Sequence, residues 1–350
     1  MSEYWALGET ILTCGLALGM GLLIQPMWIR VAIRHGWVDI PHGRKQHPTA
    51  TPLMGGIGIL LATLIAAIGV GGTFSWEGQA VIWICGIGLM GLGVFDDLKG
   101  MKPQIKLTWQ LLMAMFAGLA GFRLESFLGF GTLTDIPLTW QMPLTLIFLL
   151  GITNAYNMLD GMDGLAASLG IAISLGFGVL FFANGDRSFA LMAVGLMGAL
   201  SAFWYYNRTP ARLFMGDAGS LFVGFLLAIF ALRFLQHEHI WFSDAANRPI
   251  VVVSMLIIPI LDITQVMGYR ISMGRSPLAA DRNHLHHLLQ RAGWQATSIP
   301  WLMIGITAMM VAIGVAGMIL DLDPESLLLL ELGVAYWGIS ALRRRNASAV

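Results

Sequence analysis

The sequence predicts an all-α integral membrane protein, built as a bundle of about eleven transmembrane helices. Of its 350 residues, 57% are hydrophobic and only 11% are charged, and the mean hydropathy is +0.73. Apolar runs follow one another from end to end, which a soluble protein of this size does not need. The runs mix Leu, Ile, Met, Gly and Ala over about 20 residues, whereas a membrane β-barrel would show alternating segments of about 10 residues. The spans are therefore expected to be helices.

Eleven apolar runs are long enough, or nearly so, to cross a bilayer, because flanking side chains can extend the apolar length. In chain order they cover 5–29, 51–72, 80–95, 107–122, 141–157, 165–183, 189–206, 219–235, 249–268, 298–320 and 326–342. The sequence contains no fixed-length repeat, no low-complexity linker and no long polar stretch, so we expect residues 1–350 to form a single polytopic domain. Cys14 and Cys85 lie inside apolar runs and match no metal or redox spacing, so no disulfide is expected.

Lysine and arginine are distributed unevenly between the two sets of connecting loops. With the N-terminus outside, 16 of the 20 basic residues fall in one set, and only Arg123, Arg187, Arg233 and Arg248 fall in the other. Because loops rich in Lys and Arg stay on the cytoplasmic side, we expect a periplasmic N-terminus and a cytoplasmic C-terminus. The cytoplasmic loops then lie at about 30–50, 96–106, 157–165, 207–219 and 269–297.

Several acidic residues lie on this same basic side, each at the end of an apolar run. They are Asp96, Asp97, Asp160, Asp163, Asp217 and Asp281. The acids of the opposite side are not clustered in this way. The cytoplasmic mouths of the helices are therefore the predicted place of chemistry.

The first two cytoplasmic loops carry charges that suit phosphate or metal. DIPHGRKQHPTATPLMGG contributes Lys45 and His47 before a turn and a helix, although such a cluster can also serve only to set topology. FDDLKGMKPQIK places Asp96 and Asp97 side by side, with three lysines behind them. Adjacent carboxylates repel unless a metal ion or a cation neutralises them, and lysines suit phosphate oxygens. A solvated loop is the alternative.

The third loop, NAYNMLDGMDGLA at residues 154–166, holds two amides and two carboxylates. Asn154 and Asn157 can share the last helical turn, and the glycines after it allow the chain to bring Asp160 and Asp163 back toward them. The result would be an oxygen-rich cup suited to a hard divalent cation. Simple helix capping beside turn glycines is the alternative.

The fourth loop combines an acid at a helix start with two arginines. NRTPARLFMGDAGSLF carries Asp217 just after Gly216, with Arg208 and Arg212 upstream. Backbone N–H groups at a helix start attract anionic groups, and the arginines add charge for phosphate recognition. Helix capping is again the alternative.

The fifth loop is rich in histidine. RSPLAADRNHLHHLLQRAGW brings Arg282, His284, His286 and His287 together. Three histidines could bind zinc, but no cysteine or HExxH pattern accompanies them. Histidines beside arginine instead suit hydrogen bonding to a diphosphate.

Together the five loops offer metal-binding oxygens and cationic phosphate ligands on one face of the membrane. That combination predicts phosphoryl transfer with a lipid as one partner, in which Mg²⁺ bridges the phosphates and cationic side chains stabilise the spreading charge. The competing class is an ion-coupled transporter, since Asp262 lies inside a predicted span. A transporter would place its polar residues near the midplane on broken helices, so the enzyme is favoured.

Four of these motifs also resemble those of a known family. FDDLKG, NAYNMLDGMDGLA, MGDAGS and DRNHLHH are similar, in order and spacing, to motifs of the polyprenyl-phosphate N-acetylhexosamine-1-phosphate transferases, and RKQHPTATPLMGG is a fifth match. The resemblance covers about residues 39–290. It implies a multi-pass enzyme of the bacterial inner membrane with a cytoplasmic active site. Such an enzyme transfers a sugar 1-phosphate from a UDP-sugar to undecaprenyl phosphate and releases UMP, and this would be the first membrane step of a cell-envelope glycan.

The histidine motif indicates the branch of the family. The muramoyl-pentapeptide branch carries three contiguous histidines, whereas HLHH at 284–287 resembles the N-acetylglucosamine branch. UDP-N-acetylglucosamine is therefore the expected donor, with N-acetylgalactosamine, N-acetylfucosamine and muramoyl-pentapeptide donors as alternatives. The other expected partners are undecaprenyl phosphate and membrane lipids; a homodimer is compatible with the resemblance, and no nucleic acid is expected.

The resemblance also implies roles for individual residues. Five aspartates would form the catalytic group: Asp96, Asp97, Asp160, Asp163 and Asp217. Of these, Asp217 and Asp97, together with Asn157, would ligate Mg²⁺ or, alternatively, Mn²⁺. Asp96 or Asp97 would face the lipid phosphate as a general base or a nucleophile. The remaining candidates would hold the substrate phosphates or the sugar: Lys45, His47, Asn154, Asn157, Arg208, Arg212, Gly216, Arg282, His284, His286 and His287.

Overall fold

The computed structural model describes residues 2–39, 50–70, 76–126, 135–237, 245–276 and 283–347. Within these ranges the chain is predominantly α-helical, with a single two-stranded antiparallel pair, β1 (Val38–Asp39) with β2 (Thr51–Pro52). The thirteen α-helices are α1 (Ser2–His35), α2 (Gly55–Gly69), α3 (Trp76–Lys99), α4 (Pro103–Leu119), α5 (Leu138–Leu159), α6 (Leu165–Ala183), α7 (Arg187–Asn207), α8 (Gly216–Gln236), α9 (Arg248–Met255), α10 (Ile257–Ser272), α11 (Leu285–Arg291), α12 (Ile299–Ile319) and α13 (Pro324–Ala347). A 3₁₀ turn, Ala245–Asn247, precedes α9.

Eight helices in this described part of the chain are long and apolar enough to cross a membrane. They are α1, α3, α5, α6, α7, α8, α12 and α13. The pair α9 and α10 is bent by 72° at its break and makes a ninth if it counts as one span. The prediction of a helical multi-pass membrane protein is thereby confirmed.

The predicted runs and the observed spans differ at three places. Each of the eleven runs contains a helix, but α2 has 15 residues and α4 has 17, which is short of the roughly 20 residues that cross a bilayer. The run at 249–268 is interrupted at Leu256, between α9 and α10. An apolar run in the sequence therefore does not reveal where its helix ends or breaks.

The chain divides into two compact units. Unit 1 comprises Met1–Leu124 and Pro137–His237 and holds α1 to α8; unit 2 comprises Glu125–Ile136 and Glu238–Val350 and holds α9 to α13.

The core of unit 1 is built around α8. Nearly every residue of this helix is buried, as expected of a helix that is apolar on all sides. Phe230 and Phe234 of α8 pack with Phe177 and Phe181 of α6 and Phe189 of α7, with neighbouring ring centroids between 5.5 and 6.4 Å apart. This aromatic packing holds the C-terminal half of α8 in place.

The N-terminal end of α8 is held by α2. A Cβ placed on Gly219 would lie 2.8 Å from the Cα of Gly56, so the two helices touch through their backbones. The N–H groups of Gly55 and Gly56 donate to the carbonyls of Phe214 and Met215, at 2.9 and 3.2 Å. These bonds satisfy N–H groups that the first turn of α2 cannot use internally, and they fix the loop that leads into α8.

In unit 2, α13 carries a carboxylate into the interior. Glu331 is fully buried, and the Ser254 hydroxyl of α9 lies 2.9 Å from each of its carboxylate oxygens. A Cβ on Gly314 of α12 would come within 2.8 Å of the same side chain. The three helices α9, α12 and α13 therefore meet around one polar pair.

Candidate active site

A lysine bridges two of the predicted catalytic aspartates in unit 1. Lys106, in the first turn of α4, places its Nζ 2.9 Å from Asp96 Oδ2 at the end of α3 and 2.5 Å from Asp217 Oδ2 at the start of α8. All three side chains are largely shielded from solvent. An ion pair in such a setting is stronger than an exposed one, because the effective dielectric constant is lower.

Asp97, unlike its neighbour Asp96, bonds to the start of α8 and caps that helix. Its Oδ1 accepts a hydrogen bond from the Asp217 N–H at 2.9 Å, and its Oδ2 accepts one from the Ala218 N–H at 3.1 Å. A carboxylate suits the positive end of a helix. Gly216 makes this approach possible, since its φ is +70° and a Cβ there would collide with Asp97 Oδ2. The two adjacent aspartates thus have different partners.

Asn157 joins this cluster from the last turn of α5. Its Nδ2 donates to Asp217 Oδ1 at 2.6 Å and lies 2.6 Å from the Ser220 hydroxyl. Asn154 has a different set of partners, because its amide pairs reciprocally with Gln110 of α4 at 2.7 and 3.2 Å. Of the two asparagines in the predicted cup, the structure brings only Asn157 to Asp217.

Asp160 immediately follows α5 and lies near the same group of acids. Burial raises the pKa of its carboxyl well above the ordinary value, and the negative charges of Asp217 and Asp97 raise it further. A hydrogen bond from the Gly216 backbone acts in the opposite direction. Asp160 is therefore a carboxyl group that holds its proton more tightly than a solvated aspartate does.

Asp163 connects two of the predicted loops. Its Oδ2 accepts a hydrogen bond from the Ala211 N–H at 3.0 Å. Beside it, the buried Asn207 accepts from the Gly164 N–H and donates to the Leu213 carbonyl, both at 2.9 Å. These bonds tie the loop after α5 to the loop before α8, and so they fix the position of the acids on either side.

Arg208 and Arg212 are exposed and lie against aromatic rings. The guanidinium carbon of Arg208 is 5.0 Å from the ring centroid of Tyr205, and that of Arg212 is 5.1 Å from the centroids of both Tyr205 and Tyr206. Such cation–π contacts orient an arginine without consuming its hydrogen-bond donors.

The histidine motif lies in unit 2, at the start of α11. His284 and His286 are buried, whereas His287 is half-buried and lies 3.4 Å from Gln290 Oε1. Asp262 of α10 contacts His284 Nδ1 at 2.7 Å. Asp262 is the acid inside a predicted span that had suggested a transporter. Its pairing with His284 explains its presence there without ion transport.

His286 is the most enclosed of the three histidines. It is 2% exposed, and neither ring nitrogen has a hydrogen-bond partner in the structure as described. Burial lowers the pKa of His286 to about 4, and the neighbouring His287 acts in the same direction. The ring is therefore neutral at pH 7.

Three predicted site residues fall outside the described ranges. They are Lys45, His47 and Arg282.

Known proteins with similar sequences identify the family. A family model described as Glycosyl transferase family 4 matches residues 79–235. A probable undecaprenyl-phosphate N-acetylglucosaminyl 1-phosphate transferase of Bacillus subtilis (strain 168) is 32% identical over 275 residues, which are 78% of this chain and 75% of the relative. A decaprenyl-phosphate N-acetylglucosaminephosphotransferase of Mycolicibacterium smegmatis is 33% identical, with 80% of this chain and 76% of the relative covered. The chain belongs to glycosyl transferase family 4.

A further member of the family extends the similarity. The undecaprenyl-phosphate alpha-N-acetylglucosaminyl 1-phosphate transferase of Escherichia coli (strain K12) is 28% identical over 88% of this chain and 84% of its own length. The region matched by the glycosyl transferase family 4 model runs from α3 to α8 and contains the whole Asp96, Lys106, Asn157 and Asp217 cluster. The family resemblance predicted from the motifs is thereby confirmed.

Several residues of the cluster were not among the predicted site residues. Lys106, Gln110 and Ser220 each contact a predicted residue through a side chain from another segment. Asn207 instead bonds to the backbone of Gly164 and Leu213, in the loops that hold predicted residues. Lys106 did have a signal, since it is one of the three lysines that follow the paired aspartates. For Asn207 the sequence offers no comparable signal, because its partners are backbone atoms of two loops.

Proposed function

We propose that the protein transfers N-acetylglucosamine 1-phosphate from UDP-N-acetylglucosamine to undecaprenyl phosphate. The observation that carries this proposal is the cluster of Asp96, Lys106, Asn157 and Asp217 at the ends of four helices, within a chain whose relatives are named for this transfer. UMP would be released, and the product would be a lipid-linked diphosphate sugar.

The chemistry requires little help from a base. The second pKa of a phosphate monoester is about 6, so the lipid phosphate is largely dianionic at pH 7 and is already a nucleophile. One of its oxygens attacks the β-phosphorus of the donor, the bond between that phosphorus and the bridging oxygen breaks, and UMP leaves with that oxygen. Lys106 supports this direct route, because its ammonium group is placed to attract phosphate oxygens. Asp96 then orients the lysine and needs no covalent role.

The cluster fits a divalent cation such as Mg²⁺, with Mn²⁺ as the alternative. Asp217 would hold the ion through Oδ1, the carboxylate oxygen that faces Asn157, while its Oδ2 remains paired with Lys106. Asn157 would add an amide oxygen after a rotation of its side chain, and Mg²⁺ is commonly held by one or two carboxylates plus substrate phosphates. Such an ion would neutralise the charge of the diphosphate.

The cluster supplies only part of a coordination sphere. No group of three or more acidic, histidine or cysteine side chains forms a ready metal site among the described residues. Asp97, predicted as a ligand, has both oxygens engaged by α8. We therefore infer that Asp97 acts mainly by placing Asp217, and that substrate phosphate oxygens complete the coordination of the ion.

We also propose roles for the remaining candidates. Asp160, whose carboxyl holds its proton tightly, would donate a hydrogen bond to the nucleotide, and Asp163 would keep the neighbouring loops in register. Arg208 and Arg212 would bind phosphate at the membrane surface. The histidines of α11, with Arg282, would hold the diphosphate or the sugar, and Lys45 and His47 would add cationic contacts.

The proposed topology has eleven spans in the bacterial inner membrane. The N-terminus would be periplasmic, and the active site and the C-terminus would be cytoplasmic. The excess of lysine and arginine in one set of loops supports this orientation. A UDP-sugar is a cytosolic compound, so it would reach the site from that side.

The test is UMP release by purified protein supplied with undecaprenyl phosphate and Mg²⁺. UDP-N-acetylglucosamine, UDP-N-acetylgalactosamine, UDP-N-acetylfucosamine and UDP-muramoyl-pentapeptide are compared in parallel. We expect release with the first donor, and loss of release when EDTA is added, when the lipid is omitted, or when Asp217 is replaced by Asn. Release with only one of the other donors would support the same transfer reaction with a different sugar. A folded protein that releases no UMP from any donor would overturn the proposal.

A further inference from the structure

One fully buried aspartate of unit 2 is bonded to the first residues of the histidine motif. Asp262, on α10, is 0% exposed. Its Oδ2 lies 2.7 Å from His284 Nδ1, and its Oδ1 accepts a hydrogen bond from the Leu285 N–H at 2.6 Å. One oxygen therefore holds a ring, and the other holds the backbone at the start of α11.

The same face of α10 makes a second contact with this segment. Gln265, one turn beyond Asp262, donates from Nε2 to the Asn283 carbonyl at 2.7 Å. Gln265 is in turn held by Arg343 of α13, which donates to its Oε1 at 2.6 Å. The backbone on both sides of His284 is thus anchored to α10, which leaves the ring itself to be oriented by Asp262.

We propose that Asp262 is a positioning residue, which keeps the His284 proton on Nδ1 and thereby presents Nε2 to the donor substrate. This rests on the proposed function, in which the histidines of α11 hold the diphosphate or the sugar. An ionised carboxylate can only accept hydrogen bonds, so the nitrogen that faces Asp262 must carry a proton. With its proton on Nδ1, the ring can only accept a hydrogen bond at Nε2, so the group of the donor that it binds is a hydroxyl or an N–H of the sugar and not a phosphate oxygen.

Helix capping alone does not account for this arrangement. A cap needs a single acceptor for one N–H group, and serine, threonine or asparagine would provide it. Asp262 uses its second oxygen on the ring of His284. A buried carboxylate is also costly unless it is fully paired, so the pairing with both groups is what makes an acid tolerable at this position.

The distinguishing variant is Asp262→Asn. The asparagine side chain keeps the size of the aspartate and can still accept from the Leu285 N–H with its oxygen. Its NH₂ group must then face His284 Nδ1, which has to become an acceptor, so the ring proton moves to Nε2. The variant therefore preserves the cap and reverses the tautomer.

We expect Asp262→Asn to lower kcat for UMP release by about 10- to 100-fold, by analogy with the loss of carboxylates that orient metal-ligating histidines. The tautomer is read independently, from the ¹⁵N chemical shifts of the His284 ring in protein labelled on histidine. The signal is assigned by its loss in His284→Gln. In wild-type protein we expect a protonated Nδ1, and in Asp262→Asn a protonated Nε2.

Glu331→Gln is the matched control. It is the same acid-to-amide change at another fully buried position of unit 2, and its partner is Ser254. The glutamine oxygen can still accept from the Ser254 hydroxyl, so we expect wild-type kcat and an unchanged His284 spectrum. A loss of kcat in Glu331→Gln equal to that in Asp262→Asn would overturn the inference. Any acid-to-amide change in the interior of unit 2 would then lower kcat, whether or not it touches His284.

The double variant Asp262→Asn with His284→Gln separates positioning from general destabilisation. If Asp262 acts through His284, the double variant loses no more activity than His284→Gln alone. Multiplied losses would overturn the inference, as would wild-type kcat and an unchanged tautomer in Asp262→Asn. Wild-type kcat in His284→Gln would also overturn the inference about Asp262, but the proposed transfer reaction would be unaffected. A wild-type protein that transfers nothing, but shows the expected Nδ1 proton, would instead count against the proposed function.

Discussion

At the scale of single residues, each aspartate of the acidic cluster has its own partners. Asp97 holds the start of α8, Asp96 holds Lys106, and Asp217 contacts both Lys106 and Asn157. Two adjacent aspartates can serve these different ends because they lie on the last turn of α3 and point to different neighbours. The sequence motif FDDLKG therefore contains one acid that caps α8 and one that pairs with Lys106.

Replacing Lys106 by Met should lower kcat for transfer by at least about 100-fold, the scale for loss of one electrostatic contact to a developing charge. It should also lower the free energy of unfolding by about 2 kcal/mol, because Asp96 and Asp217 lose a charged hydrogen-bond partner. Lys102→Met is the control, since Lys102 lies one turn earlier, just before α4, and is exposed. UMP release and thermal unfolding in detergent measure both effects. Equal kcat in the two variants would show that the lysine bridge has no part in the reaction.

Replacing Gly216 by Ala should damage both stability and activity. A left-handed backbone costs a non-glycine residue about 1–2 kcal/mol, and the new Cβ would also collide with Asp97 Oδ2. Gly91→Ala is the matched control, because a Cβ at Gly91 of α3 meets nothing within 4 Å. Thermal unfolding should separate the two, with Gly216→Ala lower and Gly91→Ala unchanged or higher. If both variants behave like the wild type, Asp97 does not need its close approach to α8.

At the scale of elements, the site depends on how helix ends are tied together. The ends of α3, α5 and α8 meet through side chains, while Asp163 and Asn207 tie the intervening loops. In unit 2 the short helix α11 is attached to α10 through Asp262 and Gln265. Both sets of contacts are hydrogen bonds, so these segments are held by polar contacts in a chain that otherwise packs through hydrophobic surface.

The buried His286 makes the stability of α11 depend on pH. Its pKa is lowered from 6.5 to about 4 in the folded protein, so the unfolded segment binds a proton that the folded one does not. The free energy of unfolding of α11 is therefore highest above about pH 6.5. It falls by up to about 3 kcal/mol as the pH drops toward about 4. Hydrogen exchange of α11 amides across this range measures the loss. In His286→Leu we expect the dependence to be largely absent, and an identical profile in both proteins would contradict the assignment.

At the scale of the whole molecule, the chain combines a membrane-spanning body with polar chemistry at helix ends. Eight helices of the described chain, or nine with the bent pair, are able to span a bilayer. The basic residues are concentrated in the loops that also hold the acids. A lipid substrate and a soluble nucleotide can meet only at such a boundary, which is the physical reason for placing phosphoryl transfer there.

The proposed orientation can be tested by labelling single cysteines in intact cells, after replacement of Cys14 and Cys85 by alanine. A membrane-impermeant maleimide should label Leu322→Cys, in the exposed turn between α12 and α13. Lys102→Cys, in the loop between α3 and α4, should react only after the membrane is permeabilised. The opposite pattern would invert the topology and place the acidic cluster on the outer face.

The fold class was predictable because hydropathy is a local property of the sequence. Each predicted apolar run contains a helix, yet the break at Leu256 and the shortness of α2 were not predicted. Breaks and ends depend on hydrogen bonds to other segments, such as those from Gly55 and Gly56 to the residues before α8. The same limit applies to the site, where Asp217 and Asn157 were predicted together but Asn154 pairs with Gln110 instead.

The sequence by itself determined that the protein is helical and membrane-embedded, that it belongs to its family, and that acids and cations gather at the ends of particular helices. Only the tertiary structure decided which of these polar atoms meet. Lys106 and Asp217 are 111 residues apart, and Asp97 and the Asp217 N–H are 120 apart. Their contact depends on how α3, α4 and α8 pack, and the pattern within any one segment carries no information about that packing.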